Sequence, residues 1–270
     1  MIKLLDDPKL IERLCNAEPY IGCLFMASAV AFYDAPDLMT VWAEVDEHGR
    51  AVSAVNIGSS ELMVLTGGNN LSTEMLIFLT KLAEDEKITE ICCGEGAFPV
   101  LKKLFGEHAE ILPLMKCSRH VKYEHEDIPE VKSGDSAGLY ELMLPQFSDC
   151  EKPDFEMWML KHTRGISRGQ STVLTIEHDG APVSGASVRG RCAAGGAIVS
   201  VITKPEYRGR GYASALTARC AEMLKSEGLT AWLCPCDDRA ERLYARLGFK
   251  RCGSFCIIYL DKNEHINNKL

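Results

Sequence analysis

Val201-Ile202-Thr203-Lys204-Pro205-Glu206-Tyr207-Arg208-Gly209-Arg210-Gly211-Tyr212-Ala213 is the stretch on which the reading of this chain turns. The apolar run from Ala197 to Thr203 reads as a buried strand. Pro205 stops it, because proline has no N–H to donate to a ladder. A glycine-rich turn follows, and a helix runs from Gly211 to Ser226 and stops at Gly228. Strand, turn and helix in that order aim several backbone N–H groups at one point, at the positive end of a helix. Phosphate or pyrophosphate is the natural occupant of such a point. Gly209 and Gly211 permit close approach to a ligand, and Arg208 and Arg210 add positive charge. Neither common nucleotide loop fits. There is no G-x-x-x-x-G-K-[ST] run, and Ser214 stands where G-x-G-x-x-G needs its third glycine.

Working outward, Thr230 to Cys234 reads as a strand, Arg239 to Leu247 as a helix and Cys252 to Leu260 as a last strand. Upstream, Thr172 to Glu177 and Pro182 to Arg189 form a strand pair across Asp179-Gly180. Helices are expected at Ser136 to Met143 and near Phe155 to His162. The charge-dense segment from Tyr123 to Ser136, with Pro129 and Gly134, marks a domain boundary near residue 126. The domains are then 1–126 and 127–270.

The first domain reads helix-rich up to Phe32, with Asp34-Ala35-Pro36-Asp37 as a breaker. Strands follow at Leu38 to Val45 and Ala51 to Ile57, joined by a turn at Asp46 to Arg50, then at Leu62 to Leu65 and Ile88 to Cys93. Helices are expected at Asn70 to Glu84 and Phe98 to Phe105. A shift of about 142 positions lays this half on the second. Thr66-Gly67-Gly68-Asn69 then meets Arg208 to Gly211, and Leu104-Phe105-Gly106 meets Arg246-Leu247-Gly248. The pattern is that of a duplicated α/β unit. The first copy has no Arg in its loop, and Lys102 stands opposite Tyr244.

The chain has 270 residues, 46% hydrophobic and 25% charged, so each half can bury its own core. The net charge of -8 disfavours duplex nucleic acid as a partner. Met1 to Leu10 lacks the apolar run of a signal peptide. Ile21 to Phe32 is too short to span a bilayer and reads as a buried helix. The chain is therefore expected in the cytoplasm, away from membranes, with its twelve cysteines reduced. Cys92-Cys93 and Cys234-Pro235-Cys236 lack zinc-site spacing, and no metal is expected.

Arg208-x-x-Gly211-x-Ala213 matches the pyrophosphate motif [QR]-x-x-G-x-[GA] of the GNAT superfamily of N-acetyltransferases. Asp237-Asp238-Arg239-Ala240-Glu241-Arg242-Leu243-Tyr244-Ala245-Arg246-Leu247-Gly248-Phe249 resembles that family's N-x-x-A-x-x-L-Y-x-x-x-G-F helix. The likeness spans roughly residues 128 to 260. It implies an α/β (α+β) fold of two GNAT-like domains, each a mixed, mostly antiparallel twisted sheet flanked by helices, the first degenerate.

The likeness also implies an acetyl-CoA-dependent transfer of an acetyl group to a primary amine, on a small molecule or a peptide. Val201, Ile202 and Thr203 would meet the pantetheine arm and offer N–H groups to the thioester carbonyl. Arg208, Gly209, Arg210, Gly211, Tyr212 and Ala213 would hold the pyrophosphate, and Tyr244 would protonate the departing thiolate. Asp237 replaces the family's Asn; it keeps the helix cap and loses an amide donor to the cofactor. Glu177, His178 and Glu206 are all open to the role of general base. Alternatives are a non-catalytic acyl-CoA-binding or regulatory module, a longer acyl donor, or an interaction protein on the same fold. The acceptor and the oligomeric state are not encoded in any motif.

Overall fold

The computed structural model describes residues 1–35, 41–58, 60–85, 87–106, 108–119, 121, 123, 128–146 and 154–260. Along the chain the strands are β1 (Ile2–Leu4), β2 (Val41–Val45), β3 (Ala51–Ile57), β4 (Glu61–Leu65), β5 (Glu90–Gly94), β6 (Ala109–Cys117), β7 (Lys132–Ser133), β8 (Thr172–His178), β9 (Ala181–Cys192), β10 (Gly195–Thr203), β11 (Ala231–Leu233) and β12 (Lys250–Tyr259). The α-helices are α1 (Glu12–Ala17), α2 (Pro19–Phe32), α3 (Thr73–Ala83), α4 (Phe98–Phe105), α5 (Ser136–Met143), α6 (Phe155–Ser167), α7 (Tyr212–Ser226) and α8 (Asp238–Arg246).

The chain divides into two compact units: Met1–Leu114 with Gly253–Leu270, and Met115–Cys252. In the first unit, strands β1 to β4 form an antiparallel meander, and β5 joins β4 in parallel. The other edge of β5 takes β12 antiparallel, from Phe255↔Gly94 to Tyr259↔Glu90. Helix α2 is apolar nearly all round and buried as expected, with Phe25 and Phe32 fully enclosed. Helices α3 and α4 bury Met75, Leu79 and Leu101 in a core that also takes Cys256 and Ile258 from β12.

In the second unit, β7, β8, β9 and β10 pair antiparallel in sequence order. Strand β11 joins β10 in parallel, and Met115 to Cys117 of β6 closes the other side of β11. Helix α7 buries Ala215, Leu216, Ala218, Cys220 and Leu224 against Ile176, Val188 and Ile198 of this sheet.

The structure differs from the sequence expectations in four places. The expected boundary at 126/127 falls on residues outside those described, and the contact division lies at 114/115. That division falls within β6, a strand that Pro113 hides from pattern reading. The last strand was expected in the second domain; its backbone hydrogen bonds to β5 put residues from Gly253 onward in the first. Helix α3 begins at Thr73 rather than Asn70, because the Ser72 hydroxyl caps it by accepting from Met75 N at 3.0 Å. The first residues form a strand, β1, paired with Trp42 to Glu44. The expected strand start at Leu38 and the breaker residues Pro36 and Asp37 lie outside the described residues.

Candidate active site

Strand β10 and strand β11 pair at two positions only, Gly196↔Ala231 and Ala197↔Trp232. Strand β10 then runs six residues further, held by β9 alone, up to Ile202↔Gly185 and Thr203↔Ser184. From Ile198 onward its β11-facing edge has no ladder partner among the described residues. Two parallel strands that part in this way leave a wedge lined by backbone donors and acceptors. The burial pattern follows the parting: residues 195–198 are buried and residues 199–203 half-exposed.

The register with β9 breaks between Val199 and Ile202, a bulge in which Ser200 takes φ 55°. A non-glycine residue in the left-handed region costs about 1 kcal/mol or more, and such residues collect at functional sites. The bulge is braced from beneath by fully buried Ser184. Its hydroxyl donates to the Ile202 carbonyl at 2.8 Å and lies 2.7 Å from the Thr203 hydroxyl.

A short 3-10 turn, Pro205–Tyr207, leads out of the strand into the loop Arg208–Gly211. Gly209 and Gly211 have φ of 80° and 83°, which side-chain-bearing residues rarely adopt. Gly211 is the N-cap of α7, and no side chain caps that helix. The first-turn N–H groups of a fifteen-residue helix thus face outward at its positive pole. Arg208 Nε donates to the Thr203 carbonyl at 3.1 Å, and Arg210 Nη2 to the Glu206 carbonyl at 3.3 Å. The Arg210 guanidinium also lies over the Tyr207 ring, 5.0 Å from its centre. Both cations are held at the loop by one contact or two, and both residues are exposed. The donor set of loop amides, helix start and two guanidiniums fits a diphosphate.

Following β11 in the chain, Asp237 caps α8 by accepting from Ala240 N at 2.6 Å, as expected of an Asp in the Asn position. Helix α8 buries Tyr244, which shares one apolar cluster with Tyr212, Ala215 and Leu216 of α7. Burial, and after it the neighbouring Cys236, Asp237, Cys234 and Cys220, push the phenol far above its ordinary range. Tyr244 therefore carries its proton at neutral pH.

The structure thus brings Val201, Ile202, Thr203 and Arg208 to Ala213 together at the wedge mouth, and places Asp237 and Tyr244 on the helix beyond it. Of the residues open to the base role, Glu177 is in an ion pair with Lys132 at 2.9 Å. His178 lies 3.1 Å from Asp179 and stacks obliquely on Tyr207. Sequence reasoning missed Ser200, Ser184 and Tyr123. The Tyr123 hydroxyl donates to the Gly211 carbonyl at 3.0 Å and fixes the loop from a distant segment. The one trace of Ser200 in the sequence is a polar residue inside the apolar run Ala197 to Ile202.

Among metal-ligating groups, Glu61, Glu90 and Cys92 bring three ligand atoms within 4.8 Å of one another, in the first unit. Burial first, then the two carboxylates, hold the Cys92 thiol protonated, which is the poorer ligand form. No described helix is long and apolar enough to cross a membrane.

Residues 136–249 match the model of the acetyltransferase (GNAT) family. That segment holds the wedge, the loop and α8. This part of the chain belongs to the GNAT family. Solved structures extend the likeness to the fold of the whole chain. A GCN5-related N-acetyltransferase from Kribbella flavida superposes with a TM-score of 0.57 at 17% identity, over 79% of this chain and 88% of that one. One from Sphaerobacter thermophilus gives 0.55 at 16% identity, over 96% and 95%. A tandem GNAT protein from the clavulanic acid biosynthesis pathway gives 0.54 at 13% identity, over 92% and 97%. No curated protein matches the chain in sequence. The first unit is GNAT-like in fold, and the mixed, mostly antiparallel sheets flanked by helices are the expected fold class.

Proposed function

We propose that the GNAT domain transfers an acetyl group from acetyl-CoA to a primary amine by direct attack. The observation that carries this reading is the parting of β10 from β11 after Ala197↔Trp232, with an uncapped helix start and two arginines at its mouth. A wedge between parallel strands suits a thin, extended ligand that is apolar along its arm and anionic at one end. Acetyl-CoA is such a ligand, and it supplies the activated thioester.

The protein's part is division of labour along one path. The amides of 209–213 and the Arg208 and Arg210 side chains answer the diphosphate charge. The edge of β10 at Val201 to Thr203 offers fixed backbone dipoles to the arm and to the carbonyl, where negative charge develops. Beyond Ala197 the β11-facing edge of β10 has no ladder partner among the described residues, so its donors are not spent on a neighbouring strand. Tyr244 carries its proton at neutral pH and is the candidate general acid for the leaving thiolate, although its burial works against giving that proton up. The amine class of acceptor follows from the family's chemistry, and nothing in the described residues narrows it.

The test is release of free thiol from acetyl-CoA in the presence of a panel of primary amines. Turnover with at least one amine, reduced about 10²- to 10⁴-fold in Tyr244→Phe, is the expected outcome. Binding of acetyl-CoA with no thiol release in the presence of any amine would favour the non-catalytic acyl-CoA-binding module.

A further inference from the structure

The two units carry the same parallel strand pair followed by a loop and a helix, and they treat the mouth of that pair in opposite ways. In the first unit β4 and β5 stay paired through Glu61↔Glu90, Leu62↔Ile91, Met63↔Cys92 and Val64↔Cys93, to within one residue of the end of each strand. At the mouth sits Glu18, from the junction of α1 and α2. Its Oε2 accepts from Thr66 N at 2.7 Å and Gly67 N at 2.9 Å, and the Thr66 hydroxyl lies 3.3 Å from both carboxylate oxygens. These amides stand where the sequence shift places Arg208 and Gly209.

The carboxylate is built in on the β5 side too. A Cβ on Gly94 would come within 2.6 Å of Glu18 Oε1, so a side chain at the end of β5 would press the carboxylate out of its present position. No ion pair to Glu18 is found among the described residues; backbone amides and one hydroxyl answer its charge. Two further polar side chains of the loop are turned inward. Ser72 caps α3, and the Asn69 side-chain amide donates to the carbonyls of Val52 and Thr66 at 2.9 and 2.8 Å. No basic residue occurs between Thr66 and Ser72.

We infer that Glu18 is an internal pseudo-ligand: its carboxylate fills the anion-binding nest of the first unit, so the tandem chain takes up a single CoA, in the second unit. The stoichiometric half of this inference rests on the function proposed above; the closure by Glu18 does not. A diphosphate entering the first unit would have to displace a carboxylate already bonded to Gly67 N, the counterpart of the Gly209 amide, and to Thr66 N beside it. It would meet no arginine in exchange, and until displacement the two anions repel.

The experiment uses the full ¹⁵N-labelled chain. CoA binding is measured by calorimetry while the Thr66 and Gly67 amide resonances are followed, and the resonances are followed again with inorganic pyrophosphate. In the wild type the expected result is one equivalent of CoA per chain, with both amides unmoved by CoA and by pyrophosphate. In Glu18→Ala both amides move upfield and become responsive to pyrophosphate. Glu18→Gln keeps an acceptor of the same size and serves if the alanine variant does not fold; its amides also move upfield, from loss of the charge.

Two equivalents of CoA in the wild type would overturn the inference. So would Thr66 and Gly67 resonances that move with CoA, or amides unmoved in the Glu18 variants. No CoA uptake at all would remove the transferase reading and with it the stoichiometric half; the amide shifts and the pyrophosphate titration still decide whether Glu18 fills the nest.

Discussion

His162 should make the second unit acid-sensitive. The imidazole is 3% exposed, on α6, stacked on Trp158 with ring centres 3.9 Å apart. Its Nδ1 lies 2.9 Å from the Trp158 carbonyl, which can only accept, so Nδ1 carries the proton of the neutral ring. Nε2 is buried without a partner among the described residues, so a second proton would place an N–H and a charge where nothing receives them. Burial, and after it the Arg189 and Lys161 charges, lower the pKa from 6.5 to about 4.

With the folded value depressed, the unfolded chain binds the proton first as pH falls. Stability from this residue is complete above pH 6.5 and is lost progressively toward pH 4. At ~1.4 kcal/mol per unit the total is about 3 kcal/mol, of which about 2 kcal/mol is gone by pH 5. Two assays check it. The His162 Cε1–H resonance should titrate near pH 4. Urea unfolding of the second unit, followed by Trp158 and Trp232 fluorescence in a Trp42→Phe background, should show the wild type losing about 2 kcal/mol more than His162→Leu between pH 7.5 and 5. Carboxylates common to both proteins cancel in that difference. A titration midpoint near 6.5, or parallel losses in the two proteins, would refute the argument.

Three further outcomes follow from single contacts. Asp237→Ala removes the α8 cap and should lower stability by about 1 kcal/mol, with the melting midpoint of the second unit as the measure. Ser200→Val forces a β-branched residue to φ 55° and should cost roughly 1–3 kcal/mol in urea unfolding. Ser184→Ala leaves the Ile202 carbonyl without its 2.8 Å donor and should cost about 1 kcal/mol and loosen the bulge, read as faster amide exchange at Val201 to Thr203.

Much of the site is legible because it is local. Strand, proline, two glycines and helix start are consecutive from Val201 to Ala213, and each residue type acts on its own backbone. The Asp237 cap and the α8 helix are local in the same sense. What escaped the sequence is set by partners far away in the chain. The wedge exists because β11 leaves β10 after two pairs, and no residue in either strand announces that. The bulge at Ser200 depends on register with β9. Strand β12 reads as a strand anywhere, but only its pairing with β5 assigns it to the first unit. The first unit's loop looked merely poor in arginine, and that its amides are already taken required Glu18, 48 residues upstream of Thr66.

The central claim is tested most directly by calorimetry of CoA with the full chain, wild type against Arg210→Glu. That substitution reverses the charge at the loop and touches no described contact beyond the Glu206 carbonyl and the Tyr207 ring. The account predicts saturable binding to the wild type and its loss in Arg210→Glu, with folding unchanged by circular dichroism. Absence of binding to the wild type, or equal binding by the variant, would contradict it.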